Sequence, residues 1–254
     1  VFDRRPLGSV GLVFCGRWHL ELGMGLGIGA LMIFLVAALG RVLGAVHFSL
    51  NAEPPGRLLS WGVSLLVFLL VAATVEELIF RGYPFQRLSD SIGGVAAVAV
   101  FSTLFGLAHL GNPYRTWIST LNTMLVGVPL AVAYLRTRAL WMPVGIHFAW
   151  NYCLGYGCGL PVSGWLPPLS VLKATAAGTE LVTGGNYGPE GSVLATGVIL
   201  IAAVYLSLSK SIYVSDGMRE LVFGPTAGRE PRPLSIALPA SPPAPAHIDR
   251  DERS

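Results

Sequence analysis

The sequence predicts an all-α, polytopic transmembrane helix bundle of about six spans. Three observations carry this: 53% of the 254 residues are hydrophobic and only 12% are charged, mean hydropathy is +0.62, and apolar runs alternate with short turn-rich breaks. The net charge of +3 comes from scattered arginines rather than a basic patch, which argues against a nucleic-acid partner. Cys15, Cys153 and Cys158 are an odd and sparse set that implies no disulfide framework. Residues 1–17 lack the pattern of a signal peptide. A start at Val1 instead of Met predicts a fragment, with one or more N-terminal spans missing.

Residues 1–19 form a polar N-terminal entry carrying Arg4, Arg5 and Arg17. The first span runs from about Leu20 to Val46, and in its early part Gly23-Met24-Gly25-Leu26-Gly27-Ile28-Gly29 small residues stand four apart, the spacing that lets two helices approach closely. Pro54-Pro55-Gly56 marks a loop, and the second span opens near Leu58. Pro84 cannot donate to the carbonyl four residues earlier, so this helix should kink or restart there. A turn at Ser89 to Gly94 leads to a third span over Val95–Leu110, followed by a fourth over Thr116–Leu135, a fifth over Leu140–Tyr156 and a sixth over Ser192–Leu208. The glycine-rich residues 157–191 form a long re-entrant or surface loop. Residues 20–208 are thus the membrane core, and 209–254 a cytoplasmic, largely disordered tail, its Pro- and Ala-rich part beginning at Pro225. Lys and Arg counts in the loops place both termini in the cytoplasm: Arg81, Arg87, Arg136, Arg138 and Lys210 join the N-terminal arginines, against Arg41, Arg57, Arg115 and Lys173 on the other side.

The second span ends in Glu76-Glu77-Leu78-Ile79-Phe80-Arg81, and charge within hydrocarbon marks a functional site by default. Glu77 and Arg81, four apart with the acid first, form a favourable helical ion pair. Glu76 points about 100° away around the helix, which leaves it free for other work. Counting along a hairpin centred near residue 92 puts His109 level with Glu76. His147 and Asn151, also four apart, share one helical face and can both donate hydrogen bonds, as an oxyanion requires. The same counting through the fourth span does not bring His147 to the depth of His109. The alternatives are that these groups only tie helices together, in a non-catalytic membrane immunity or scaffold protein, or form a proton relay in a transporter.

Glu76-Glu77-x-x-x-Arg81, Phe105-x-x-x-His109 and His147-x-x-x-Asn151, in that order and each in or at the end of an apolar span, resemble the three motifs of the CPBP (Abi) family. That family comprises type II CAAX prenyl endopeptidases and bacteriocin-processing or self-immunity proteins. The resemblance implies an intramembrane endopeptidase acting on a peptide or lipidated protein substrate in the lipid bilayer. Glu76 and His109 would activate water, His147 and Asn151 would hold the oxyanion, and Glu77, Arg81 and Phe105 would shape the site. It also implies either a metal-free, glutamate-dependent mechanism or a zinc ion on Glu76, His109 and His147 with an open fourth position. The family core has about eight helices, two more than the six spans counted here.

Overall fold

The computed structural model describes residues 7–223. The predicted disordered stretch therefore lies largely outside the described residues, as do residues 1–6. The chain is a helical bundle: α1 (Trp18–Val42), α2 (Pro55–Arg81), α3 (Tyr83–Ile92), α4 (Gly94–Ala108), α5 (Trp117–Thr137), α6 (Trp141–Tyr152), α7 (Glu180–Thr183), α8 (Val193–Leu208) and α9 (Asp216–Phe223). Among the described residues, three stretches are long and apolar enough to cross a membrane: Trp18–Val42, Pro55–Ile92 and Trp117–Thr137. α4 and α8 are apolar but shorter, and α6 has only 12 residues. The lipid-facing side shows in the exposed Val63, Val67, Val71 and Val75 of α2 and the exposed Leu200, Ile201, Val204 and Leu208 of α8. Such a belt of large apolar side chains matches hydrocarbon as solvent.

Local chemistry explains the boundaries. α2 ends at Gly82, where a Cβ would lie 2.1 Å from the Leu78 carbonyl oxygen, and the chain restarts as α3 with Pro84 in its first turn, where a missing N–H costs nothing. The restart expected at Pro84 is thus present. The turn expected over residues 89–94 is shorter: α3 continues to Ile92 and only Gly93, at φ 87°, separates it from α4. α5 opens on a capping box in which the Thr116 and Ser119 side chains each take the other's backbone N–H.

Two further departures from the sequence prediction matter. The first span stops at Val42, and Val46–Leu50 is a strand (β1) paired antiparallel with Leu172–Ala176 (β2), so a two-stranded sheet accompanies the helices. The fifth helix ends at Tyr152 and passes through a π-helical turn over Cys153–Gly157 into the loop. That loop is folded rather than open. It holds β2, α7 and two short 3-10 turns, Gly185–Tyr187 and Pro189–Gly191. Its glycines permit close backbone contacts: a Cβ on Gly164 would lie 2.2 Å from the Pro113 carbonyl oxygen, and one on Gly188 2.2 Å from that of Pro161.

The main core joins α1, α5, α6 and α8 through Ile33, Leu130, Ile146, Trp150 and Ile199. α1 and α6 approach through glycines on both sides. A Cβ on Gly25 would sit 2.3 Å from the Met142 carbonyl oxygen, one on Gly29 2.3 Å from that of Ile146, and one on Gly145 2.7 Å from that of Leu22. Gly23 and Gly27, on the opposite face of α1, have nothing within 4 Å. The glycine stripe is therefore a packing device, and it sets the position of the helix that carries His147 and Asn151.

Gly29→Val forces α6 away from α1 and should lower stability by about 1–3 kcal/mol or more, as overpacking does. Gly27→Val should leave thermal unfolding in detergent unchanged, and equal effects of the two would contradict this packing.

Candidate active site

The buried Glu77–Arg81 pair is the framework on which the other groups rest. Arg81 Nη1 donates to Glu77 Oε1 at 2.9 Å, and both side chains are 0% exposed. Arg81 Nη2 donates to the Gly127 carbonyl at 3.3 Å, which ties α2 to α5, and its guanidinium stacks 4.4 Å from the Phe105 ring centre on α4. A lone charge could not remain in this interior, so the pair fixes α2 in one rotation. The division inferred from helical spacing is present: Glu77 is held by Arg81, while Glu76 faces elsewhere.

Glu77 has a second partner that spacing alone did not suggest. Its Oε1 lies 2.9 Å from His147 Nδ1. A carboxylate can only accept, so Nδ1 carries the hydrogen and Nε2 is turned outward. His109, at the C-terminal end of α4, is oriented in the same way, with Nδ1 donating to the Phe105 carbonyl at 2.7 Å. Both outward nitrogens point at one atom: Glu76 Oε2 lies 3.7 Å from His109 Nε2 and 3.8 Å from His147 Nε2. These separations exceed a direct hydrogen bond. Glu76 Oε2 is itself buried without a hydrogen-bond partner.

Phe105 is 3% exposed and packs edge-on against Phe80 and His147, with ring centres 5.1 and 6.0 Å away, and tilted against His109 at 4.6 Å. Glu76, Phe105, His109, His147 and Asn151 all line one cavity of about 550 Å³. Among the described residues the Asn151 carboxamide makes no side-chain hydrogen bond, so its donors are available to the cavity.

The structure brings His147 to the same atom as His109, where counting along hairpins had placed them apart. That counting assumed helices of equal length with turns at the two faces. α4 and α6 have only 15 and 12 residues, and α3 is interposed between α2 and α4. Short helices need not begin at one level.

Glu76, His109 and His147 are zinc-type donors, and the orphaned Glu76 Oε2 lies among them. Among the described residues, however, no three His, Cys, Asp or Glu side chains are gathered closely enough to hold a metal ion.

Sequence reasoning missed the far end of the cavity, where the loop before α8 contributes Ser163, Trp165 and Glu190. Asn122 of α5 anchors this loop: its Nδ2 donates to the carbonyls of Glu190 and Ser192, both at 2.8 Å, and its Oδ1 accepts from Thr196 Oγ1 at 2.7 Å. The available signal was Glu190 itself, a lone acid in Gly188-Pro189-Glu190-Gly191 beside an apolar span.

Residues 58–153 match the model of the family described as type II CAAX prenyl endopeptidase Rce1-like. The matched segment contains all three motifs. No curated protein and no solved structure matches the chain.

Arg81→Met strands the Glu77 carboxylate and should cost about 3–5 kcal/mol, read as a lower unfolding temperature in detergent. Adding Glu77→Gln should recover much of that loss, because two neutral groups then replace the pair. An unaltered melting curve for Arg81→Met would contradict a structural role for the pair.

Proposed function

We propose that the chain, whose residues 58–153 match the type II CAAX prenyl endopeptidase Rce1-like family, is an intramembrane endopeptidase that hydrolyses a peptide bond with a water activated by Glu76 and His109. The observation that carries this is the convergence of Glu76 Oε2 with the Nε2 atoms of His109 and His147 on one cavity. A scaffold that used these residues as polar glue would pair them directly across helices or disperse them. Among the described residues, Glu76 Oε2 and the Asn151 carboxamide instead make no hydrogen bond.

In the proposed reaction Glu76 takes a proton from the water, with His109 orienting it, and the water oxygen attacks the scissile carbonyl carbon. Negative charge moves to the carbonyl oxygen. The Asn151 amide donates to that oxygen, as does His147 when its Nε2 carries a proton, with Glu77 on Nδ1 balancing the charge. The carbon–nitrogen bond then breaks, and the leaving amine takes the proton from Glu76.

The substrate class follows from the walls of the cavity. Phe68, Leu69 and Ala72 of α2 and Val126 and Leu130 of α5 form an apolar side next to the polar groups, which suits a membrane-associated peptide or a lipidated one of the CAAX type. The loop charges support cytoplasmic termini, with residues 209–254 on that side as a tail.

The test is reconstitution of the purified chain in vesicles with fluorogenic farnesylated and non-lipidated membrane peptides. Glu76→Gln and His109→Ala should abolish cleavage while the protein still inserts, and full activity in Glu76→Gln would overturn the mechanism. Asn151→Ala should lower kcat by about 10²–10³ with little change in KM, because an oxyanion contact exists chiefly in the transition state. An effect confined to KM would remove Asn151 from that role.

A further inference from the structure

The cavity is also lined by an acid outside the three motifs. Glu190 sits in the 3-10 turn that precedes α8, half-buried, with its carboxylate fixed from two sides. Oε1 accepts from the Trp150 indole N–H at 2.8 Å. Oε2 accepts from the Ser163 hydroxyl at 3.1 Å and from the Ser163 backbone N–H. Each carboxylate oxygen offers two lone pairs, so three of the four are filled and one on Oε1 remains.

All three donors are neutral. Among the described residues no Lys or Arg pairs with Glu190, and none lines the cavity. Glu77 shows the contrast, since the same buried setting is balanced there by Arg81. Glu76 adds a second carboxylate to the cavity, with the Nε2 atoms of His109 and His147 3.7 and 3.8 Å from its Oε2. A cavity of low dielectric with two acids and no resident Lys or Arg attracts a cation. The rigid hold on Glu190 also means that little ordering is needed when a cation arrives.

We propose that Glu190 is a substrate-binding residue that accepts the ammonium or guanidinium of a lysine or arginine side chain in the bound peptide. This rests on the hydrolase reading above for the identity of the ligand as a peptide. The lone pair on Oε1 takes the cation's hydrogen, while Trp150 and Ser163 hold the carboxylate in place. Because Trp150 lies on the same helix as His147 and Asn151, the contact fixes the peptide relative to the groups that would hold the oxyanion.

The full chain in vesicles is offered farnesylated, fluorescence-quenched peptides that are identical except at one position. That position is moved through four residues on each side of the cleaved bond and filled by lysine, neutral norleucine or glutamate. At one position the wild type should cleave the lysine peptide with a kcat/KM at least tenfold above that for norleucine, with glutamate lower still. Glu190→Gln should reduce this ratio to within about threefold of unity, because the amide turns an N–H toward one of the resident donors and carries no charge. General damage to the fold would lower all three rates and leave their ratio unchanged.

A wild-type ratio near one at every position, or a ratio that survives Glu190→Gln, overturns the proposal. If Glu190→Gln does not fold, zero-length carbodiimide coupling of the lysine peptide to the Glu76→Gln protein decides. A cross-link mapped to Glu190 by mass spectrometry supports the contact, and its absence overturns it. Cleavage of no peptide by the wild type counts against the hydrolase reading instead, and the cross-link then tests cation binding on its own.

Discussion

One ion pair, buried completely between helices, constrains everything around it. Glu77 and Arg81 are both inaccessible, and in an apolar interior each depends on the other for compensation. Their positions four apart on α2 let the pair form within a single helix. The remaining hydrogen-bonding capacity then reaches outward, from Arg81 to the Gly127 carbonyl on α5 and from Glu77 to His147 on α6. Phe105 of α4 covers the guanidinium. Three helices are thereby registered against the one that carries Glu76, and Glu76 is turned toward the cavity because its neighbour is turned away from it.

The two imidazoles are oriented by the protein's own hydrogen bonds. Each is held through Nδ1, His109 by a backbone carbonyl of its own helix and His147 by the Glu77 carboxylate. In both cases Nε2 is left facing Glu76. The second contact links the structural pair to the chemistry, since the group that balances Arg81 also sets the tautomer and direction of His147. Backbone packing supplies the remaining precision. Gly25, Gly29 and Gly145 remove the side chains that would keep α6 from α1, so the helix bearing His147 and Asn151 lies directly on its neighbour's backbone.

The segment between α6 and α8 completes the cavity from the other end. It carries no long apolar run, yet it is ordered by β2 against β1, by Asn122 gripping the carbonyls before α8, and by glycines that allow backbone to meet backbone. A loop with these ties can bring side chains such as Ser163, Trp165 and Glu190 into the cavity that Glu76, His147 and Asn151 line from the helices.

The helices were legible in the sequence because apolar length and Gly or Pro breaks depend on neighbours in the chain. The restart after Gly82, the pairing of Glu77 with Arg81 and the shared face of His147 and Asn151 follow from the same local periodicity. The small sheet escaped because β1 and β2 lie more than 120 residues apart, and in each the apolar–polar alternation runs over only five residues, too short to stand out beside the long apolar runs. Helix ends at Val42 and Tyr152, short of the apolar runs, depended on the sheet and on the folded loop. The sequence by itself therefore determined the class of fold and most of the polar groups that line the cavity, since spacing along a helix dictates which side chains share a face. Only the tertiary structure decided that His147 meets Glu76 at the depth of His109, that Glu77 serves two partners and that Glu190 lines the same cavity. Those contacts join residues from separate helices and a distant loop, whose relative levels are set by packing rather than by any local rule.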